Sequence, residues 1–215
     1  MVLTPVSESP PEPLGRLVRQ AGAGRSDSSS RIIGVVGPGE TQAQVRGWLG
    51  RNPDAGGLVV LGWGGTHRDA RAAALRAQWD LEEACRALPT RVLVLRVAPL
   101  VGAASPFWLR LRSAGASGNR PFQPVAEADV VETLRRAAVD DGGWGEWFDV
   151  AGRDAWTLTE LSAMAAPRGP GAGPGSWEPE PEILAEQKLV DPAPWMARFG
   201  ISPVPLAEEI GRWAA

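Results

Sequence analysis

The amino-acid sequence predicts an α/β fold, a parallel sheet with helices on both faces, and three observations carry the prediction. RIIGVV (31–36), GGLVVLG (56–62) and RVLVLRV (91–97) are short runs almost free of polar residues, as strands buried on both sides must be. Between them lie segments with helical spacing and their own start signals. Strand, helix and strand in this order build βαβ units, which pair their strands in parallel.

Taken along the chain, VLTPV (2–6) reads as a short first strand and residues 14–20, within PLGRLVRQAG, as a short helix. AGAGRSDSSS (21–30) has the composition of a loop. After RIIGVV, the turn GPGE leads to a helix at TQAQVRGWLG, where Thr41 and Gln44 have the spacing of a capping box. After GGLVVLG, Thr66 and Asp69 are candidate caps for a long helix ending near Leu88, with Leu81, Cys85 and Leu88 on one face. RVLVLRV follows, then an irregular stretch over 103–124 around a short helix at SPFWLRLRS. Asp129 with Glu132 opens the helix VVETLRRAAVDD; WFDVA (147–151) is a strand; Thr157 and Glu160 form a second capping box before a helix that stops by Pro167. RGPGAGPGSWEPEPE (168–182) holds too much glycine and proline for regular structure. DPAPWMARFG places Asp191 as a cap with Pro192 at the first helical position, and PLAEEIGRWA is a last helix. The resulting division is a Rossmann-like domain over 1–166 with a shortened N-terminal part, a Gly/Pro-rich linker or loop over 167–182, and a C-terminal helical segment over 183–215 packing on the same domain.

Composition narrows the function. A net charge of -3 with a single histidine gives no general surface for nucleic acid or anionic membrane. No apolar run nears the roughly 18 residues of a membrane span, and MVLTPVSESPPEP lacks the basic start and apolar core of a secretion signal, so a cytoplasmic location is expected. The one cysteine, Cys85, forms no internal disulfide and sits where a small buried hydrophobe belongs. Ten tryptophans accompany four phenylalanines and no tyrosine, which removes tyrosine as a catalytic acid. Trp79 and Trp156 fall in helical segments, whereas Trp63, Trp108, Trp144 and Trp177 fall in glycine- or proline-rich loops, where large rings need cover from the chain, a ligand or a partner protein.

LRAQWDLEEACRALPTRVLVLRVAPLVG, NRPFQPVAEADVVETLRRAA, WFDVAGRDAWTLTEL and WMARFGISPVPLAEEIGRWAA occur in that order. Together they resemble an atypical, shortened member of the extended short-chain dehydrogenase/reductases, the group of NAD-dependent epimerase/dehydratase and NmrA-like proteins. The resemblance implies a Rossmann-type fold, NAD or NADP as cofactor, and a Tyr-x-x-x-Lys pair on the helix before RVLVLRV. Aligning Glu82 and Glu83 with the usual Glu-Glu puts Ala74 at the tyrosine position and Gln78 at the lysine position. A methyl group has no proton to exchange, and a neutral amide cannot lower a neighbour's pKa. LGWGG (61–65) stands where the family carries a serine. In the first turn, Ser9, Glu12 and Gly15 take the three positions that the dinucleotide fingerprint gives to glycine, and the nearby prolines remove N–H donors. At least one βα unit before the Ala74 helix is missing, and GGLVVLGWGG is one of its two neighbours.

Other residues carry sharper and plainer readings side by side. His67 and Arg71 have the Tyr-x-x-x-Lys spacing one turn upstream, or form a polar first helical turn. Gly37 and Gly39 bound either a phosphate-binding turn or an ordinary one, and Glu40 beside them argues against an anion. Glu127 with Asp129 is a carboxylate pair or a solvated acid beside a cap, without the histidines or cysteines of a metal site. Arg96 calls for a carboxylate partner.

These readings predict a non-catalytic reductase-like protein without cofactor or metal, acting as a structural or interaction subunit with a protein partner or homologous subunit. Two alternatives stand beside it. One is an NAD(P)-dependent oxidoreductase or epimerase-like enzyme with its acid/base moved to His67 or Asp69. The other is an NmrA-like ligand-sensing module with a small molecule at the C-terminal ends of the strands.

Overall fold

A computed structural model describes residues 2–10, 13–22, 32–114, 116–139, 144–165 and 181–214. In chain order the strands are β1 (Val2–Pro5), β2 (Ile32–Val36), β3 (Gly57–Trp63), β4 (Val92–Val97), β5 (Leu100–Val101), β6 (Val125–Ala126) and β7 (Trp147–Val150). The helices are α1 (Leu14–Gly22), α2 (Gln42–Arg51), α3 (Ala73–Arg86), α4 (Pro106–Ala114), α5 (Glu127–Val139), α6 (Leu158–Met164), α7 (Pro181–Glu186), α8 (Ala193–Phe199) and α9 (Leu206–Ala214). Five strands form one parallel sheet in the order β1-β2-β3-β4-β7, and β5 pairs with β6 beside it.

Alternation along the strands separates two cores. Leu3, Ile33, Val35, Val59, Leu61 and Leu93 point to one face, under α1, α5 and α8. Val36, Leu58, Val60, Val92 and Val94 point to the other, under Val45 and Trp48 of α2 and Leu81 and Cys85 of α3. Cys85 is the buried apolar filler its spacing predicts, and burial pushes its thiol up to about 11. Gly34 in β2 is required by packing, since a Cβ there would stand 2.9 Å from the Trp48 ring and 2.8 Å from Leu58. Beyond the sheet, Val101, Phe107, Trp108, Phe122 and Leu161 build a third core with α9.

β1 lies at the edge of the sheet. β1, β2 and β3 are consecutive parallel neighbours, so both connections between them move the chain the same way across the sheet. Because α1 packs on one face and α2 on the other, the two crossovers have opposite hands, and the strong preference for right-handed βαβ units is met by only one of them. A doubly wound sheet has the order 3-2-1-4-5-6, in which the first helix leads to strands outside the first one. Among the described residues those outer strands are absent, and α1 is followed by β2 on the inner side. β1 is therefore an edge strand, a place that tolerates Pro5.

Several local expectations change. Capping boxes form as predicted at Thr41–Gln44 and Thr157–Glu160. Thr66 and Asp69 do not cap α3: Thr66 Oγ1 donates to the Trp63 carbonyl at 2.7 Å, Asp69 is exposed, and the helix starts later, at Ala73. Ala72 at the N-cap offers no side-chain acceptor, and the segment entering the helix is held from α7, where the Glu186 carboxylate takes the N–H groups of Arg71 and Ala72. α5 starts at Glu127, placing Asp129 inside its first turn. α8 starts at Ala193, one residue after Pro192, with Asp191 Oδ1 accepting the Ala193 N–H at 3.0 Å. Residues 181 and 182 belong to α7 rather than to the linker, whose remainder up to 180 lies outside the described residues.

The tryptophans also move. Trp63 belongs to β3 and Trp108 to α4, and their own chain covers both. Trp144 packs over Gly57 with the Arg91 guanidinium 4.8 Å from its ring, and Trp156 bridges Phe122 ahead of α6 instead of lying in a helix. Trp177 lies outside the described residues. The exposed ring is that of Trp147 in β7, stacked on Arg96.

Candidate functional site

At the C-terminal ends of β2 and β3, against the first turns of α3, lies a crevice of about 340 Å³. Its walls are the turn from Pro38 to Thr41, Trp63, Ala74, Gln78 and, from α7, Ile183. Strand ends diverging into loops leave such a hollow in any open α/β sheet. The fold thus brings Ala74 and Gln78 together on one wall, four residues apart on α3. No lysine or arginine appears among the described residues that line it.

Gln78 is 3% exposed and belongs to a buried polar row. Its amide and the Glu82 carboxylate close over Gly62, where an added Cβ would stand 3.0 Å from Gln78 Nε2 and 2.7 Å from Glu82 Oε1. Glu82 Oε2 accepts from Arg96 Nε at 3.1 Å and Nη2 at 2.8 Å. Burial holds the Glu82 carboxyl above the usual carboxylate range, against the pull of Arg96 and Arg86. Arg96 is in turn sandwiched between Trp79 and Trp147, 5.3 and 4.5 Å from their ring centres. The carboxylate partner that Arg96 calls for in the sequence is therefore Glu82, on the same face of α3 as Gln78.

The turn after β2 holds a group of greater consequence. Glu40 is 8% exposed, and its carboxylate accepts the Ser7 N–H at 3.1 Å and the Gly37 N–H at 3.2 Å. The Glu40 N–H returns to the Gly37 carbonyl at 3.3 Å, and Gly39 takes φ 81°, a left-handed conformation that suits glycine. Burial raises the Glu40 carboxyl despite the two N–H bonds. Gly37 and Gly39 therefore form an ordinary turn closed by the side chain of Glu40.

Other sequence candidates lie elsewhere. Ser9 is exposed after β1, Gly15 is buried in the first turn of α1, and Glu12 lies outside the described residues. His67 and Asp69 are exposed and do not line the crevice; His67 Nδ1 accepts the Asp69 N–H at 3.1 Å, and its ring centre lies 6.0 Å from that of Trp79. Glu127 and Asp129 face different partners, Arg16 and the Val204 N–H, and no group of three metal-binding side chains occurs among the described residues. Burial lifts the Asp129 carboxyl to about 6, with Glu209 adding to the rise. No described helix is long and apolar enough to cross a membrane.

Gln187, which sequence reading missed, plugs the far side of the strand ends. Its Nε2 donates to the Gly64 carbonyl at 2.6 Å, its Oε1 would meet a Cβ on Gly64 at 2.6 Å, and a hollow of only about 10 Å³ remains there. Nothing in local periodicity links residue 187 to residue 64.

Among the described residues, this donor set does not fit a dinucleotide held in the ordinary manner. The fingerprint needs free N–H groups after the first strand and an unobstructed helix start. Here the Ser7 N–H is taken by Glu40, and a carboxylate stands where phosphate charge would approach.

No family profile matches the chain, and no curated protein does either. Solved structures do. The NADPH-dependent quinone oxidoreductase QOR2 of Escherichia coli, complexed with NADPH, is 13% identical with a TM-score of 0.62, over 88% of this chain and 78% of that one. A triphenylmethane reductase from Citrobacter sp. is 15% identical with a TM-score of 0.60, over 86% and 76%. The UDP-glucose 4-epimerase of Thermotoga maritima, with UDP-glucose, is 16% identical with a TM-score of 0.56, over 84% and 74%. The order of strands, the helices on both faces and these likenesses together show a Rossmann-type fold, shared with nucleotide-bound reductases and epimerases.

Proposed function

We propose that this chain is a small-molecule-binding protein on a short-chain dehydrogenase/reductase-type scaffold, which binds in the crevice without hydride transfer and passes its state to a protein partner or homologous subunit. The observation that carries the reading is the pair Ala74 and Gln78 on the wall of the crevice: neither side chain exchanges a proton near neutral pH. Titration of the full chain with NADH and NADPH to millimolar concentration tests it. No saturable change in tryptophan fluorescence and no consumption of reduced cofactor with quinone or aldehyde acceptors are the expected results. Turnover of either cofactor would overturn the reading.

A second reading is an NAD(P)-dependent oxidoreductase or epimerase-like enzyme, and the likeness to NADPH-bound and UDP-sugar-bound proteins favours it. In that case Glu40 is the acid/base, because it is the ionisable side chain among the lining residues, whereas His67 and Asp69 stand outside. Loss of cofactor turnover in Glu40→Gln, with turnover kept in His67→Ala, would support this enzyme reading.

A further inference from the structure

Resting on the small-molecule reading above, we infer that the crevice selects an apolar-bodied organic cation, such as an amine or amidine, and excludes phosphate-bearing ligands. Three features of the lining converge on this class.

The acidic side chain among the described lining residues, Glu40, is fixed in place. Glu40 is held by two backbone N–H groups from different strand ends, Ser7 and Gly37, so its carboxylate cannot swing away to admit an anion without leaving both donors unsatisfied. Those bonds do not make up for its lost hydration, since burial still raises its carboxyl. A bound cation would supply the missing charge compensation.

Three backbone N–H groups of the kind that hold phosphate are engaged within the chain. The Thr41 N–H donates to Gln44 Oε1 at 2.7 Å, the Gln44 N–H to Thr41 Oγ1 at 3.3 Å and the Glu40 N–H to the Gly37 carbonyl. The start of α2, adjoining the crevice, is thus closed by its own capping box. The described lining adds no basic side chain.

Apart from Thr41 and the Gln78 amide, the remaining wall is apolar. Ala74, Ala77, Leu81 and Ile183 line the volume together with the indole of Trp63, a ring type that attracts organic cations. A hollow of about 340 Å³ suits a ligand of one or two rings.

Three probes of one shape and different charge separate the outcomes: benzamidine, benzamide and benzoate, with pyrophosphate as a fourth. Calorimetric titration of the full chain at pH 8 is expected to rank benzamidine at least about tenfold above benzamide, with no saturable binding of benzoate or pyrophosphate. Ala74→Trp, which fills the crevice from an exposed helical position, should abolish benzamidine binding. Glu40→Gln should bring benzamidine down to the level of benzamide. Should Glu40→Gln fail to fold, the wild-type benzamidine-to-benzamide ratio at falling pH replaces it, and a ratio that stays constant while the carboxyl protonates would overturn the inference. Benzoate or pyrophosphate binding that Ala74→Trp removes would overturn the choice of cation and leave the small-molecule reading standing. Silence from all four probes would sink both.

Discussion

Glu186 ends α7 and accepts the backbone N–H of Arg71 at 2.8 Å, so a residue 115 positions later in the chain holds the segment that enters the helix carrying Ala74 and Gln78. A hydrogen bond is worth about 0.5 to 1.5 kcal/mol net, and Glu186 also holds the Ala72 N–H. Glu186→Ala is expected to cost about 1 kcal/mol in denaturant unfolding, and Glu182→Ala, at the exposed start of α7, under about 0.5. Equal, negligible losses would show that the α7 contact does not hold the start of α3.

Arg96 and Glu82 form a buried pair whose members have different relations to solvent: Glu82 is fully enclosed, and Arg96 lies under the exposed Trp147 ring. Removing one partner strands the other, a loss of about 3 to 5 kcal/mol in buried pairs. Arg96→Met and Glu82→Gln should each destabilise on that scale, whereas the double variant should recover a sizeable part of the summed loss. Additive losses in the double-mutant cycle would mean that the two side chains are not coupled.

The pH dependence of stability isolates Asp129. Its carboxyl titrates at about 6 in the folded chain against 3.8 unfolded, so the folded state holds the proton more tightly. The associated stability is complete below about pH 4, falls as pH rises between the two values, and is gone above about pH 6, a total of roughly 2 to 3 kcal/mol. Asp129→Asn keeps an acceptor for the Val204 N–H without the titration. The variant should therefore gain on the wild type as pH rises from 4 to 7, by roughly 2 to 3 kcal/mol at pH 7, with the gain levelling off above that. A difference that does not vary with pH would refute the assignment.

Much of this architecture was legible because it is local. The apolar runs that become β2, β3 and β4 need only the rule that a strand covered on both faces has no polar side. The two capping boxes need only residues three apart. The start of α3 has the opposite cause: Thr66 and Asp69 have the spacing of caps, but the segment entering the helix is held by Glu186, which no local pattern connects to Arg71. The crevice was half legible. Glu40 beside Gly37 and Gly39 already argued against an anion, but its bond to the Ser7 N–H depends on β1 lying next to β2 at the sheet edge. That adjacency is set by the order of the strands, which no local pattern reveals.

Glycine-to-alanine substitution should have opposite signs at two positions. Gly152 follows β7, where an added Cβ would stand 2.1 Å from the Pro124 carbonyl oxygen; that atom belongs to the backbone entering β6 and has no side-chain freedom to move away. The same segment is bound to Gly152 through Gln123, whose Nε2 donates to the Gly152 carbonyl at 3.2 Å while its Oε1 accepts the Val190 N–H at 2.7 Å. Gly152→Ala must push these apart and is expected to cost about 3 kcal/mol or more. Gly47 lies on the exposed side of α2 with ordinary helical backbone, and its nearest prospective contact is the flexible Arg51 Nη1 at 3.7 Å. There a methyl group lowers the entropy of the unfolded chain without strain, so Gly47→Ala should stabilise by about 0.5 to 1 kcal/mol. At about 2 to 4 °C per kcal/mol for a chain of this size, thermal melts resolve both signs. A Gly152→Ala protein as stable as the wild type would mean that β7 and β6 do not approach as closely as the fold requires.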